Sequence, residues 1–134
     1  MCDKLSQSEI MGMLKSEMLN FVDTITDILE SYNLDVADDM VYIRFGIMSN
    51  NKEQIMDTVS NNILPFEKHI KEKNEIFFTK KENQKKIFGD LPEDKVSFFS
   101  DFWNKTDIST EDKDCIWEYF DTFIALAERF KKYP

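Results

Sequence analysis

The sequence predicts an all-α protein, a compact bundle of five or six helices in which the first and last helices are long. The chain has 134 residues but only three glycines and three prolines, whereas all-β folds need many turns. Apolar residues recur at intervals of three and four over much of its length. Hydrophobic residues make up 42% and charged residues 32%. This globular balance and length predict a single domain over residues 1–134.

The first helix is predicted to run from Gln7 to Ser31. The preceding Ser6 and the downstream Glu9 have the spacing of a capping box, in which the serine accepts from the Glu9 amide and the glutamate reaches back. Apolar residues then repeat at spacings of four and three, which places them on one core-facing side of the helix. They are Ile10, Leu14, Met18, Phe21, Ile25, Ile28 and Tyr32, and Val22 and Leu29 widen the face.

Three shorter helices are predicted next. Asn33 or Asp35 caps the second helix, which ends at Ser49-Asn50-Asn51, and Asn51 also caps the third. Pro65 ends or kinks the third helix because it lacks an amide proton, and it fits the first turn of a fourth helix. The expected core positions are Val36, Met40, Ile43 and Ile47, then Ile55, Val59 and Ile63, then Phe66 and Ile70.

Residues 71–90 have the least regular apolar pattern of the chain. Ile87 and Phe88 before Gly89 indicate a short helix with a glycine stop. Pro92 then opens a further helix, and its expected core positions are Val96, Phe99 and Trp103.

The last helix is marked at both ends. Ser109-Thr110-Glu111-Asp112 supplies a cap with acids in the first turn, and Lys131-Lys132 follow the other end, as the helix dipole favours. Its stripe is Ile116, Phe120, Phe123, Ala127 and Phe130, thickened by Trp117 and Ile124. The two longest stripes belong to the first and last helices, so we expect each to cover the other. The residues expected to be buried together on the Phe21–Ile28 face are Trp117, Phe120, Phe123 and Phe130.

The termini and cysteines predict a cytoplasmic protein. The N-terminal residues show no apolar run with basic flanks, which predicts no signal peptide, and no stretch approaches the ~20 apolar residues of a membrane span. Cys2 and Cys115 lie far apart in sequence and indicate no disulfide framework. We therefore expect a reduced protein without a membrane partner, and its oligomeric state is left open.

No motif indicates a cofactor or a metal. Gly12, Gly46 and Gly89 are isolated, so neither a P-loop nor a dinucleotide-binding loop can be built. One histidine and two cysteines cannot supply four zinc ligands, and the paired Glu-x-x-His motifs of a di-iron bundle are absent. The acids near Asp38 lack the central glycine of a calcium loop. The prediction is no cofactor and no metal site.

A catalytic site is not indicated either. Cys115 with His69 is the one possible thiol–imidazole pair, but Cys115 adjoins core-like residues and is expected to be an inert buried thiol. His69 lies between lysines and is expected to be solvated. Pairs of carboxylates are abundant among 26 acids and are expected on wet helix faces. The chain is therefore predicted not to be an enzyme.

The charge disfavours nucleic acid as a partner. The formal net charge is -9, with eleven acids against four bases in residues 1–64 and ten against six in residues 91–134. Both parts should repel phosphate backbones. Residues 65–90 hold five acids and seven bases. The possible basic surface there consists of Lys80, Lys81, Lys85 and Lys86, although the interspersed glutamates favour a solvated face.

Surplus aromatic residues point to a protein partner. Phe98 and Phe102 cannot share a helix face with Phe99 and Trp103, and Tyr119 lies off the stripe of the last helix. Exposed aromatic residues often mark protein interfaces, although a core that covers two sides of a helix would also explain them. The possible interface residues are Phe98, Phe102, Tyr119 and Tyr133.

The residues from Ile116 to Glu128, with the pattern IWxYFxxFxxLA, resemble the C-terminal helix of short helical proteins of unknown function from nucleocytoplasmic large DNA viruses. The resemblance implies a viral accessory or structural component in the host cytoplasm or the virion, and it carries no catalytic or binding residues. The preferred hypothesis is a non-enzymatic protein that acts through protein–protein contacts. The alternatives are a nucleic-acid-associated factor that uses the lysines of residues 68–88, and an enzyme without a recognisable motif.

Overall fold

The computed structural model describes residues 6–32, 37–80, 82–83, 86, 103 and 108–132, and in these residues it contains α-helices and no strand. The predicted all-α class, with long first and last helices, is confirmed. The helices are α1 (Gln7–Ser31), α2 (Ala37–Ser49), α3 (Lys52–Thr58), α4 (Glu67–Lys71), α5 (Glu75–Thr79) and α6 (Thr110–Lys132). A π-helical turn (Val59–Ile63) and a 3-10 turn (Leu64–Phe66) join α3 to α4.

Helix α1 begins and ends at the predicted residues. The Ser6 hydroxyl oxygen accepts from the Glu9 amide at 3.1 Å, and the same hydroxyl donates to the Glu9 carboxylate at 3.2 Å. The glutamate therefore reaches back to the side chain of the cap. Most of the predicted stripe is buried, and Met18, Phe21 and Tyr32 are half-buried at its edges.

Helix α6 lies antiparallel to α1. At one end the Gln7 side-chain amide donates to the Phe130 carbonyl at 3.1 Å, and at the other the Tyr32 hydroxyl donates to Asp112 at 2.9 Å. The Ser109 hydroxyl caps α6 by accepting from the Asp112 amide at 3.1 Å. The predicted coverage of each long stripe by the other helix is thus confirmed.

The centre of the core is aromatic. The Phe21 ring of α1 meets the rings of Phe120 and Phe123 at 5.6 Å each, in edge-on orientations that aromatic pairs favour. Trp117, Phe120 and Phe123 are buried as predicted. Phe130 is only half-buried, which corrects the prediction, because it lies opposite the first residue of α1, where the helix pair ends.

The break between α2 and α3 follows the sequence signal. The Asn51 side chain accepts from the Gln54 amide at 2.8 Å, and the Gln54 side chain accepts from the Asn51 amide at 3.1 Å. This reciprocal pair forms a complete capping box. The caps proposed for α2, Asn33 and Asp35, lie outside the described residues, as does Val36.

Pro65 bends the chain without separating the helices widely. Before it, the Leu64 amide donates to the carbonyl of Val59, five residues back, so the helix widens by one residue. After it, the Glu67 amide donates to the Leu64 carbonyl in the tighter 3-10 pattern. Both adjustments accommodate Pro65, which has no amide hydrogen to donate and whose ring would clash with the preceding turn of a regular α-helix. Ile55, Val59, Ile63 and Ile70 are buried through this bend, as predicted, whereas Phe66 is half-buried against the same core.

The two helices predicted between residues 87 and 103 fall largely outside the described residues. Trp103 is described, and its buried ring lies 5.7 Å from the ring of Trp117 in an edge-on orientation. This contact agrees with the predicted core position of Trp103.

Candidate functional site

Helix α2 exposes a row of large apolar side chains. Phe45 is 69% exposed, Val41 67%, Met48 53% and Tyr42 49%. Positions 41, 45 and 48 are spaced by four and three residues, and position 42 lies beside them, so the side chains share one side of the helix. We call these four residues the α2 face.

The opposite side of α2 packs on the protein. Met40 is buried, and Ile43 and Ile47 are half-buried against the core. A helix that is apolar all round is typically enclosed on all sides. Among the residues that the structure describes, helix α2 packs on the core through one side, and the large apolar side chains of its other side are about half to two-thirds exposed.

Polar contacts hold α2 on α1. The Arg44 guanidinium of α2 donates through Nε to Asp23 Oδ1 of α1 at 3.0 Å. Within α2, the same guanidinium donates through Nη1 to the Met48 sulfur at 2.9 Å. At the C-terminal end of α2, Lys15 Nζ donates to the carbonyls of Met48 at 3.2 Å and Asn50 at 2.8 Å. An ammonium group at this end donates to carbonyls that have no partner within the helix, and its positive charge interacts favourably with the negative end of the helix dipole. The α2 face is therefore presented on a fixed helix.

The sequence prediction located the buried side of α2 but missed its exposed side. The spacing of Met40, Ile43 and Ile47 accounted for one face, and the apolar residues between them were not assigned. A signal was present, because Arg44 and Gly46 are the two residues without a large apolar side chain between positions 40 and 48. Such a composition is typical of a helix that contacts two surfaces.

Among the predicted interface residues, Tyr119 is engaged within the fold. It is half-buried, its ring centre lies 5.3 Å from that of Phe21, and its hydroxyl is 2.9 Å from the hydroxyl of Thr24. The other three, Phe98, Phe102 and Tyr133, lie outside the described residues. Tyr119 thus belongs to the contact between α1 and α6.

The possible basic surface is described at two positions. Lys80 and Lys86 are exposed, whereas Lys81 and Lys85 lie outside the described residues. Two neighbouring lysines pair with acids, Lys71 with Glu67 at 3.3 Å and Lys73 with Asp114 at 3.0 Å. These ion pairs reduce the positive charge that this part of the protein offers to a phosphate backbone.

His69 and Cys115, the possible imidazole–thiol pair, are each partly covered by neighbouring residues of the fold. The His69 ring stacks on the Phe77 ring at a centroid distance of 3.9 Å, and His69 Nδ1 lies 3.3 Å from Nδ2 of the Asn74 side-chain amide. His69 is therefore half-buried and not solvated as expected, because Phe77 covers its ring. Cys115 is half-buried where full burial was expected, and burial, followed by Glu118 and Asp112, raises its thiol pKa. A raised pKa disfavours the reactive thiolate.

Two carboxyl groups interact where α4 meets α6. The hydrogen bond between Glu67 and Glu128 lowers the pKa of Glu67, with help from Lys71, and raises the pKa of Glu128. A pair of acids with diverging pKa values is the property expected of an acid–base site, but structural ion-pair networks show it as well. Both side chains lie near the surface beside Lys71, which favours a structural network.

Glu75 connects α5 to the start of α6. One carboxylate oxygen accepts from Lys113 Nζ at 2.8 Å and from the Trp103 indole nitrogen at 2.9 Å. The Lys113 ammonium also lies 5.4 Å from the centre of the Trp103 ring. The hydrogen bond with Lys113 is the main reason that the pKa of Glu75 is lowered.

Protonation of Glu75 should weaken the fold in acid. A carboxyl group whose pKa is lower in the folded state stabilises the fold above its ordinary pKa of 4.5, and this contribution is lost as the pH falls through the lowered value. We expect Glu75→Gln to reduce the melting temperature at neutral pH and to have a smaller effect in acid, well below the ordinary pKa of 4.5. Melting curves of the wild type, Glu75→Gln and the exposed control Glu30→Gln would measure this. Equal losses for Glu75→Gln at both pH values would contradict the assignment.

Metal ligands do not converge in the part of the chain that the structure describes, where no three histidine, cysteine or acidic side chains come close enough to hold an ion. Within the same residues, no helix combines the length and the apolar character that crossing a bilayer requires. Comparisons of the chain with models of protein families, with curated proteins and with solved structures found no significant match.

Proposed function

We propose that this chain is a non-enzymatic helical protein that acts through protein–protein contacts, and that the α2 face is its contact surface. The observation that carries the proposal is the exposure of four large apolar side chains, Val41, Tyr42, Phe45 and Met48, on a helix that is already packed on its other side. Contiguous apolar surface on a folded protein commonly marks an interaction site.

The composition of the α2 face suits a protein partner. Aromatic residues and methionine are enriched in the centres of protein interfaces. Full burial of a Phe, Val or Met side chain contributes roughly 1.5–3 kcal/mol, and the exposed part of each side chain is the part that a partner can still bury. Met48 adds a flexible side chain that adapts to an uneven surface.

Charge supports a protein partner over nucleic acid. The overall charge is -9, and the described lysines Lys71 and Lys73 already pair with acids of the same chain. Near the α2 face, the first turn of α2 contains Asp38 and Asp39, whose charges oppose phosphate. A partner with apolar side chains and a few charged groups suits this surface better.

The cellular setting belongs to the same proposal. The resemblance of residues 116–128 to the last helix of large-DNA-virus proteins supports a viral accessory or structural component located in the host cytoplasm or the virion. In the structure most of these residues form the buried face of α6. The resemblance thus concerns the part of the fold that supports α1 and, through α1, the α2 face.

Substitution of Phe45 tests the contact surface. Because Phe45 is 69% exposed, Phe45→Glu should leave the fold intact but place a charge at the centre of the contact. We expect it to reduce the recovery of co-purifying proteins from the native cell by about tenfold or more, as a loss of about 1.4 kcal/mol in binding would. Affinity purification with quantitative mass spectrometry measures the recovery.

Ile76→Glu is the matched control. Ile76 is 74% exposed and lies on α5, outside the α2 face, so the substitution adds the same charge at an equally exposed apolar position. We expect the control to recover the same proteins as the wild type. Equal recovery by Phe45→Glu and Ile76→Glu, with both variants folded by circular dichroism, would refute the α2 face as the contact surface.

A further inference from the structure

The two ends of the α2 face have opposite charges. Asp38 is exposed in the first turn of α2, next to Asp39. At the other end, the Lys15 ammonium lies 2.8 Å from the Asn50 carbonyl and 3.2 Å from the Met48 carbonyl. The apolar residues lie between these charged ends. A surface that runs from negative through apolar to positive is complementary to a reversed copy of itself.

We propose that the α2 face binds the α2 face of a second copy of this chain, with the two helices antiparallel about a twofold axis. This inference rests on the proposed function and names its partner. In a twofold contact the same patch is used by both copies, so each contact between two residues occurs twice. An antiparallel pair therefore brings Asp38 of each copy towards Lys15 of the other.

The length of α2 sets the register. The axis crosses the exposed side of α2 at the level of residue 43, the midpoint between Asp38 and Met48, which are separated along the helix by about 15 Å at ~1.5 Å per residue. Phe45 of one copy then meets Val41 and Tyr42 of the other. A parallel pair would instead place Asp38 against Asp38 and Lys15 against Lys15, and like charges disfavour it.

Gly46 allows the two helices to approach closely. It lies in the exposed part of α2, and a Cβ atom added there would meet no atom of the described residues within 4 Å. Glycine in a helix interior is unfavourable relative to alanine, and close approach of another backbone is a common reason for its presence. In the antiparallel register Gly46 lies one residue from the level of Val41 of the second copy, so the small residue leaves room beside a branched one.

Sedimentation velocity of the full chain tests self-association. A contact made by one helix face is small, so we expect a dissociation constant for the dimer of roughly 10–100 μM. The chain should be mainly dimeric at concentrations well above this constant and mainly monomeric at concentrations well below it. Phe45→Glu should weaken the dimer at least tenfold, and Ile76→Glu should leave it unchanged. The proposal is overturned if the wild type stays monomeric well above that range, or if Phe45→Glu dimerises as tightly as the wild type.

Charge exchange tests the antiparallel arrangement. Asp38→Lys alone and Lys15→Glu alone each create two like-charge contacts in their own dimer, so we expect each to weaken self-association roughly tenfold. In an equimolar mixture of the two variants, both ends of the mixed dimer pair a lysine with an acid. The mixture should therefore recover nearly wild-type association. Folded variants whose mixture associates no better than either alone would overturn the arrangement.

The outcomes separate this inference from the function on which it rests. A monomeric wild type that loses its co-purifying proteins on Phe45→Glu overturns the self-association and leaves the contact surface in place. A dimer that is insensitive to Phe45→Glu, together with unchanged recovery of other proteins, overturns both. Lys15→Glu removes two hydrogen bonds to backbone carbonyls, so the helicity of this variant is checked first by circular dichroism. If the Lys15→Glu variant is unfolded, the result for Phe45→Glu decides whether the α2 face mediates self-association.

Discussion

Phe120→Ala should lower the free energy of unfolding by roughly 3–5 kcal/mol, the largest effect we expect from one substitution. Phe120 is 2% exposed in the centre of α6, and its ring lies 5.6 Å from that of Phe21, 5.9 Å from that of Phe123 and 6.5 Å from that of Trp117. Truncation removes apolar burial and leaves a cavity between the two longest helices. Small domains are stable by about 5–15 kcal/mol, so the variant should be close to unfolding.

Urea denaturation followed by tryptophan fluorescence would measure the loss, because Trp117 lies beside the cavity. Glu118→Ala is the matched control, since Glu118 is exposed on the same helix and its truncation should change the stability by less than about 0.5 kcal/mol. Similar losses in the two variants would show that the buried face of α6 is misplaced. Thermal melting of the same variants provides a second measurement of their order.

The long helices could be predicted because their signals are local. Ser6 and Ser109 cap α1 and α6 within three residues. The apolar stripe covers about six turns of α1 and about four turns of α6 at ~3.6 residues per turn, so many positions agree on one face. The contact between the two stripes then follows because two long apolar surfaces must cover each other. The cap at Asn51 could be predicted for the same reason, because its side chain binds the Gln54 amide only three residues later.

The sequence did not predict features that depend on contacts between residues of different helices, such as the burial of His69 and the type of helical turn before Pro65. His69 was expected in water because of the lysines beside it in sequence, but Phe77, eight residues later, covers its ring. The sequence could indicate that Pro65 ends or bends a helix, but the choice of a π-helical turn depends on keeping Ile63 and Ile70 in the same core. On α2, the spacing of Met40, Ile43 and Ile47 predicts the side that packs on the core, but it does not predict that Val41, Phe45 and Met48 are exposed.

Tyr119 lies beside the apolar stripe of α6, and the spacing of the stripe does not predict its contacts with α1. These contacts are the basis of the second large effect on stability that we expect. The sequence places Tyr119 off the main stripe and among the possible interface residues. In the structure its ring centre lies 5.3 Å from that of Phe21 and 6.3 Å from that of Phe123. Its hydroxyl also interacts with the Thr24 hydroxyl at 2.9 Å, which adds a second connection between α6 and α1.

Tyr119→Ala should therefore lower the free energy of unfolding by roughly 2–3 kcal/mol, from partial loss of apolar burial, the aromatic contacts and one hydrogen bond. Tyr119→Phe retains the ring and should cost only about 1 kcal/mol, the contribution of the hydroxyl pair. Thr24→Val removes the same hydrogen bond from the other helix.

If the two hydroxyls interact mainly with each other, the double variant Tyr119→Phe/Thr24→Val should be more stable than the sum of the single losses predicts, because the second substitution has no bond left to remove. Urea denaturation of the four proteins in this cycle measures the coupling. Strict additivity would mean that the hydroxyls do not stabilise each other. A cost for Tyr119→Ala no greater than that for Tyr119→Phe would mean that the ring lies away from α1, on the surface available to a partner.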